Sequence, residues 1–233
     1  MNTNSYQNFV KTIEPLTRRH ERSKVFNDFL TASICGYHQI NIQSKLQIKD
    51  ETNEKLYMET IASYTKEEIN TFPKLLGIFI QSVHQAPYGD LLGEYFTEHI
   101  TKGQNGQFFT PTAVCELMAS LQAEPNTVEN KSVADPACGS GRLLLAFAKS
   151  NPKNFFYGAD NANTCAKMAT LNFFLNGLRG EVAWMNTLSM EWYGGWQINS
   201  NGLGILPIEK EDSRIWSHPP KPNENKDQQL TLF

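Results

Sequence analysis

The residues best suited to chemistry are Asp135-Pro136-Ala137-Cys138-Gly139-Ser140-Gly141, a run that stands where a strand hands over to a leucine-rich helix. Gly139 and Gly141 lack Cβ atoms, so the backbone turns sharply there and a ligand can come close. The helix that follows offers unpaired N–H groups and a partial positive charge to a carboxylate or phosphate. The run therefore reads as an anion-accepting turn. A dinucleotide fingerprint asks for a third glycine where Leu144 stands, and a P-loop asks for Gly-Lys-Ser/Thr, which is missing. Asp160 is expected at the tip of the next strand, where an acidic side chain accepts both ribose hydroxyls of an adenosine. A nucleoside joined to a carboxylate describes S-adenosylmethionine. The plainer alternatives are a simple strand-to-helix connection for the turn and a helix N-cap for Asp160.

Three elements together resemble the N6-adenine DNA methyltransferases, especially the modification subunits of type I restriction systems and their relatives on mobile elements. Asp90-Leu91-Leu92-Gly93-Glu94-Tyr95 is similar to the helix those proteins place before the cofactor domain, and Gly106-Gln107-Phe108-Phe109-Thr110-Pro111 matches their G-x-F-[FY]-T-P element. Asp135 to Gly141 matches D-P-A-C-G-S-G residue for residue, and the resemblance spans roughly residues 85 to 190. It implies S-adenosylmethionine as cofactor, with Phe108, Phe109 and Thr110 lining the pocket and Asp135, Ala137, Gly139 and Gly141 cradling the methionine end. It also implies double-stranded DNA as the partner. Thr110 with Pro111 reads as an N-cap and first-turn pair, which aims a second helix N-terminus at the same carboxylate. Asn186 falls where the family often has an acidic residue, and its amide oxygen is expected to accept from the cofactor's adenine amino group.

N6 methylation needs an adenine flipped from the duplex, its amino group held by two acceptors and its ring stacked on an aromatic. The family supplies Asn-Pro-Pro-Phe or Asn-Pro-Pro-Tyr for this, and no such run occurs in the chain. The nearest string is Ser217-His218-Pro219-Pro220-Lys221, where His218 replaces the asparagine and Lys221 the aromatic. A neutral imidazole accepts one hydrogen bond but does not reproduce the amide geometry, and Trp216 is the nearest ring for stacking. The alternative is the start of a Pro-rich linker. On this reading the isolated chain transfers no methyl group.

The elements that must position these residues follow from periodicity. Phe9, Ile13, Leu16, Val25, Phe26, Phe29 and Leu30 recur at helical spacing, as do Leu56, Met58, Ile61, Ile69, Phe72, Leu75, Leu76, Phe79 and Ile80. Residues 1–103 are thus expected to be a helical subdomain of four or five helices, with Pro73 in a first turn capped by Thr71. Lys11, Arg18, Arg19, Arg22 and Lys24 crowd into its start, as a solvated face or a phosphate-contacting one. Over residues 130 to 188 strands and helices alternate, which predicts an α/β fold with a parallel, doubly wound sheet, and the resemblance makes residues 104–218 a Rossmann-like methyltransferase domain. Only about 45 residues follow Leu188, too few for the four further strands and helices of a seven-stranded sheet. The sheet is therefore expected to be truncated, with Trp184, Trp192, Tyr193 and Trp196 covering an open edge or stacking bases, or a partner chain completing it.

Residues 219–233 are polar and Pro-rich and read as a flexible tail. Its last five, Gln229-Leu230-Thr231-Leu232-Phe233, resemble the peptide by which bacterial polymerases dock on the replicative sliding clamp. That implies a hydrogen bond from Gln229 and apolar anchors at Leu230, Leu232 and Phe233; folding back onto the core is the alternative. A net charge of -3 excludes gripping nucleic acid by bulk charge. The four cysteines, Cys35, Cys115, Cys138 and Cys165, form no C-x-x-C pair, which argues against zinc and disulfides and for a reducing cytoplasm. No signal pattern or membrane-length apolar stretch is present.

Overall fold

The computed structural model describes residues 3–38, 50–101, 109–122, 128–200, 202, 204–217 and 229–231. The described part of residues 1–103 forms six α-helices: α1 (Thr3–Ile13), α2 (Arg22–Gly36), α3 (Glu51–Ile61), α4 (Lys66–Ile69), α5 (Thr71–Gln85) and α6 (Leu91–Phe96), the last continuing into a π-helical turn, Thr97–Thr101. Phe9, Ile13, Val25, Phe26, Phe29, Leu30, Leu75 and Phe79 are fully buried, as their spacing predicts. Tyr95 sits at their centre, with ring centroids 5.3 Å from Phe9 and 5.1 Å from Phe26. Leu56 and Met58 depart from the pattern: α3 lies on α2 through Tyr57 and Ile61, which leaves these two on its exposed side. Pro73 does stand in the first turn of α5, but Thr71 does not cap it; its hydroxyl donates back to the Glu67 carbonyl.

The basic residues near the N-terminus are largely engaged with acids. Arg22 holds Glu14 through both carboxylate oxygens, at 2.9 and 3.0 Å, Arg19 faces Glu68 and Lys24 pairs with Asp28. This favours the solvated-face reading over phosphate contact.

The rest of the described chain runs α7 (Thr112–Gln122), β1 (Ser132–Asp135), α8 (Arg142–Ala148), β2 (Phe155–Asp160), α9 (Asn163–Leu175), β3 (Arg179–Asn186), β4 (Glu191–Ile198), β5 (Ile205–Pro207), α10 (Arg214–Ser217) and β6 (Gln229–Thr231). The six strands form one sheet in the order β5-β4-β3-β2-β1-β6. β3, β2, β1 and β6 run parallel; β4 is antiparallel to both β3 and β5, so it is the one reversed strand of the described sheet. The α/β expectation holds: β1 to β3 are parallel, the strand order reverses at β1, and helices lie on both faces of the sheet. Two successive right-handed crossovers in the same direction put both α8 and α9 on the face that shares the helical core. The opposite face, with Ala159, Ala183 and Met185, is met by Ile215 and Trp216 from the short α10. Glu181, only 2% exposed, fixes α10 by accepting from the Ser213 hydroxyl at 3.0 Å and the Arg214 N–H at 2.9 Å.

Two expectations about the edges are corrected. β3 is not an edge, because β4 pairs with it from Gly180 to Asn186, which places Trp184 inside the sheet; among the described residues β5 pairs β4 only at Trp196 to Ile198, so Trp192 and Tyr193 stand on the half of β4 that β5 leaves uncovered. The tail is not wholly free, because Gln229, Leu230 and Thr231 pair with Ser132, Val133 and Ala134. No helix among the described residues is long and apolar enough to cross a membrane.

One core joins the helices to the sheet, and α2 meets α9 across it. Lys167 of α9 lies in that seam, donating to Asn27 Oδ1 at 3.1 Å and Thr31 Oγ1 at 2.9 Å. Burial pulls its ammonium from 10.5 down to about 8, against the opposing charge of Asp28. The folded chain then binds fewer protons than the unfolded one between those values, so stability should rise with pH across that window. We expect wild type to gain about 1–2 kcal/mol relative to Lys167→Met from pH 7.5 to 10. Urea melts at both pH values check this, and parallel pH profiles for the two proteins would count against it.

Candidate cofactor site

Strand β1 ends at Asp135, and the chain turns through residues 136–141 into α8. Gly139 and Gly141 have φ of 55° and 82°, left-handed values that strain any L side chain. Space is limiting as well. A Cβ on Gly139 would stand 2.9 Å from Cε1 of Phe109, and one on Gly141 3.0 Å from Cε1 of Phe173. The Phe109 ring thus lies in the hollow that Gly139 leaves.

Two carboxylates brace the turn. The Ala137 N–H donates to Asp135 Oδ1 at 3.0 Å, and Asp160 at the end of β2 accepts from the N–H of Gly139 and of Ala162, both at 2.8 Å. Burial pushes the Asp135 carboxyl up to about 6, with the Asp160 charge adding to the rise and the Ala137 N–H opposing it. Asp160 is pushed up by burial too, against its two N–H bonds. Each carboxylate keeps unused lone pairs, so together they suit hydroxyl or ammonium donors on a ligand. Strand order reverses at β1, with β2 on one side and β6 on the other, and ligands of open α/β sheets bind at the carboxyl ends of strands at such a switch point.

The turn is clasped from the helical side by Asp90, which is 5% exposed. Its Oδ2 accepts from the Ser140 hydroxyl at 2.5 Å and Arg142 Nε at 2.8 Å; its Oδ1 accepts from Asn172 Nδ2 at 3.0 Å and the Gly93 N–H at 2.9 Å. Asp90 is therefore the N-cap of α6 and the counter-ion of Arg142 at once. Arg142 Nη1 donates to the Thr110 carbonyl at 3.1 Å, which ties the segment before α7 to the same turn. Glu94, one turn along α6, is pushed up by burial and drawn back by the Arg142 charge.

Of the sequence-derived site residues, the structure brings Phe109, Thr110, Asp135, Ala137, Gly139, Gly141 and Asp160 together. Thr110 takes part through its carbonyl and is not the N-cap of α7. Pro111 holds that place, its carbonyl accepting from the N–H of Val114 at 2.9 Å, because the helix begins one residue later than expected. Asn186 ends β3, and its side-chain oxygen accepts from the N–H of Leu188 at 3.0 Å and Ser189 at 3.1 Å, closing the β3–β4 turn. The oxygen expected to meet adenine is thus engaged by the chain itself. The Thr187 hydroxyl donates to the Pro136 carbonyl at 3.1 Å, which seats this turn beside the glycine turn. Phe108, His218, Pro219, Pro220, Leu232 and Phe233 lie outside the described residues, and Gln229 and Leu230 are described only as strand backbone. Reading the sequence missed Asp90, Arg142 and Asn172 as site residues; a buried cluster drawn from three segments leaves no local spacing signal. Among the described residues no group of acids, histidines and cysteines could hold a metal ion.

Comparison with known proteins places these features in a family. The model of the N-6 DNA methylase family matches residues 87–204, from the clasp through the glycine turn to β4. The MjaVIII type I restriction enzyme methylase subunit of Methanocaldococcus jannaschii is 31% identical over 169 residues, 68% of this chain and 28% of that protein. The MjaVII methylase subunit of the same organism is 32% identical over 85 residues, 34% of this chain and 14% of the relative. The chain thus spans less than a third of either relative's length. Among solved structures, the type I restriction-modification methyltransferase subunit of Streptococcus thermophilus aligns over 82% of this chain and 60% of its own, at 14% identity and a TM-score of 0.45. A class I S-adenosylmethionine-dependent methyltransferase from Listeria monocytogenes aligns over 77% and 52%, at 15% identity and a TM-score of 0.41. With its family match covering the clasp, the glycine turn and Asp160 in one stretch, the chain belongs to the N-6 DNA methylase family.

Proposed function

We propose that this chain binds S-adenosylmethionine at the carboxyl edge of its sheet, serves adenine-N6 methylation of duplex DNA, and does not complete that reaction alone. The observation that carries the reading is the pair of carboxylates, the buried Asp135 and the half-buried Asp160, braced by the glycine turn's own N–H groups at the carboxyl ends of β1 and β2. Asp160 accepts the ribose hydroxyls with its remaining lone pairs, Asp135 accepts from the ammonium of the methionine end, and the Phe109 ring walls the hollow. The cofactor supplies an electrophilic methyl group on a sulfonium. The chain's part is to orient that end and keep water from it.

The target adenine requires two acceptors for its amino group and a stacking ring. The sequence offers only Ser217-His218-Pro219-Pro220-Lys221 in that role, which motivates the proposal that a partner chain or further segment provides the missing element. Recruitment to a sliding clamp through Gln229, Leu230, Leu232 and Phe233 is a second reading. It requires Gln229–Thr231 to leave β1, since those backbone groups are paired there.

Calorimetry with S-adenosylmethionine and S-adenosylhomocysteine tests the first part. Heat of binding is expected, with Asp160→Ala weaker by about 1–3 kcal/mol; no heat at millimolar ligand with folded protein would refute it. Incubation of the chain with duplex DNA and radiolabelled cofactor tests the second. Background counts are expected, and turnover abolished by His218→Ala would establish residues 217–220 as an active site.

A further inference from the structure

We infer that Arg142 is the carboxylate-binding residue of this site, taking the methionine carboxylate on its Nη2. The inference rests on the cofactor reading above and adds an assignment to it. The usual source of positive potential at such a turn is the following helix, but α8 has only 7 residues, so its N-terminus contributes little. A full positive charge stands at its first residue instead. The Arg142 side chain is 12% exposed, and two edges of its guanidinium are engaged: Nε with Asp90 Oδ2 and Nη1 with the Thr110 carbonyl. Nη2 is buried and has no hydrogen-bond partner. A native protein rarely leaves a charged donor in that state, because a buried N–H without an acceptor loses its solvation and gains nothing in return.

The position of this donor points to its ligand. The guanidinium lies 5.8 Å from the centroid of the Phe109 ring, and the same ring fills the hollow at Gly139. The Gly139 hollow and the guanidinium thus border the same ring, and the proposal requires Phe109 to rotate when the ligand enters. Asp135 and Asp160, acceptors of the same charge, repel a carboxylate when ionised. An amino acid head is therefore sorted between two poles, its ammonium toward Asp135 and its carboxylate toward Arg142. The guanidinium is already oriented by Asp90 and Thr110, so little rotamer freedom is lost when the anion arrives.

The test compares S-adenosylhomocysteine with 5′-methylthioadenosine, which has the same nucleoside and thioether but no carboxylate or ammonium. Arg142→Lys keeps a cation beside Asp90 and loses the fork, and binding of methylthioadenosine reports that its pocket is folded. We expect the variant to bind S-adenosylhomocysteine about tenfold or more weakly than wild type while methylthioadenosine binds both equally. Equal losses for both ligands, or no loss for either, would overturn the assignment and leave the cofactor reading standing. Wild-type protein that binds neither ligand would overturn both. A crystal structure of wild type with S-adenosylhomocysteine gives an answer that needs no variant: the carboxylate within hydrogen-bond distance of Arg142 Nη2 supports the assignment, and a carboxylate placed elsewhere refutes it.

Discussion

Asp90→Ala is expected to destabilise the protein by about 3–5 kcal/mol, the cost of leaving one member of a buried ion pair without its partner. Asp90 is 5% exposed and receives four donors, from Gly93, Ser140, Arg142 and Asn172. Removing it strands the Arg142 cation and uncaps α6 in the same step. For a chain of this size the loss corresponds to a fall in Tm of roughly 10 °C. A paired substitution identifies the mechanism. Asp90→Leu with Arg142→Leu removes both charges and should be markedly more stable than Asp90→Leu alone. Chemical denaturation of the three variants decides it, and a double variant no better than the single one would mean that the charge pair is not what the clasp depends on.

Asp135→Asn is expected to act in the opposite direction, making the fold more stable and the site worse. Because burial holds the Asp135 carboxyl up at about 6, from an ordinary 3.8, the folded chain binds a proton more readily than the unfolded one between those values. Stability therefore falls as pH rises through the window, and above it the ionised, buried carboxylate carries its full cost. Asparagine keeps an acceptor for the Ala137 N–H and carries no charge. The variant should be about 2–3 kcal/mol more stable at pH 7.5, with the difference gone below about pH 4. A difference that does not change with pH would refute this account. The same substitution should weaken S-adenosylhomocysteine binding, since the ammonium loses its counter-charge. A residue that destabilises the fold and is needed by the ligand is the expected signature of a binding site.

The parts of the molecule legible in the sequence are those whose physics is local. Helical spacing put Phe9, Ile13, Phe26 and Phe29 in the core, where they are fully buried. The run from Asp135 to Gly141 announced a tight turn because two glycines so placed have few other uses, and both take left-handed φ. Asp160 was legible because the strand before it fixed its place. What escaped was non-local. Asp90 and Arg142 are separated by 52 residues, and nothing in either neighbourhood distinguishes an N-cap aspartate from one that also grips a distant arginine. Asn186 was read only as a ligand contact, because the sequence does not show that an asparagine at that point satisfies the N–H groups of the turn after it. The second face of the sheet, met by Ile215 and Trp216, was legible only in outline. Alternating strands and helices imply parallel pairing, but the face each helix takes depends on strand order, which residues 130 to 188 alone do not encode.

The pairing of β6 with β1 also governs when this protein can finish folding. Ser132 finds its partner, Gln229, only after about a hundred further residues have been made. Until then β1, the strand that leads into the glycine turn, presents one unpaired side to the surroundings. A nascent chain on the ribosome would therefore have its clasp, its glycine turn and β2 assembled while an open strand edge waits beside them. That interval is when pairing with a neighbouring chain, capture by a chaperone or completion of the fold compete for the same backbone groups.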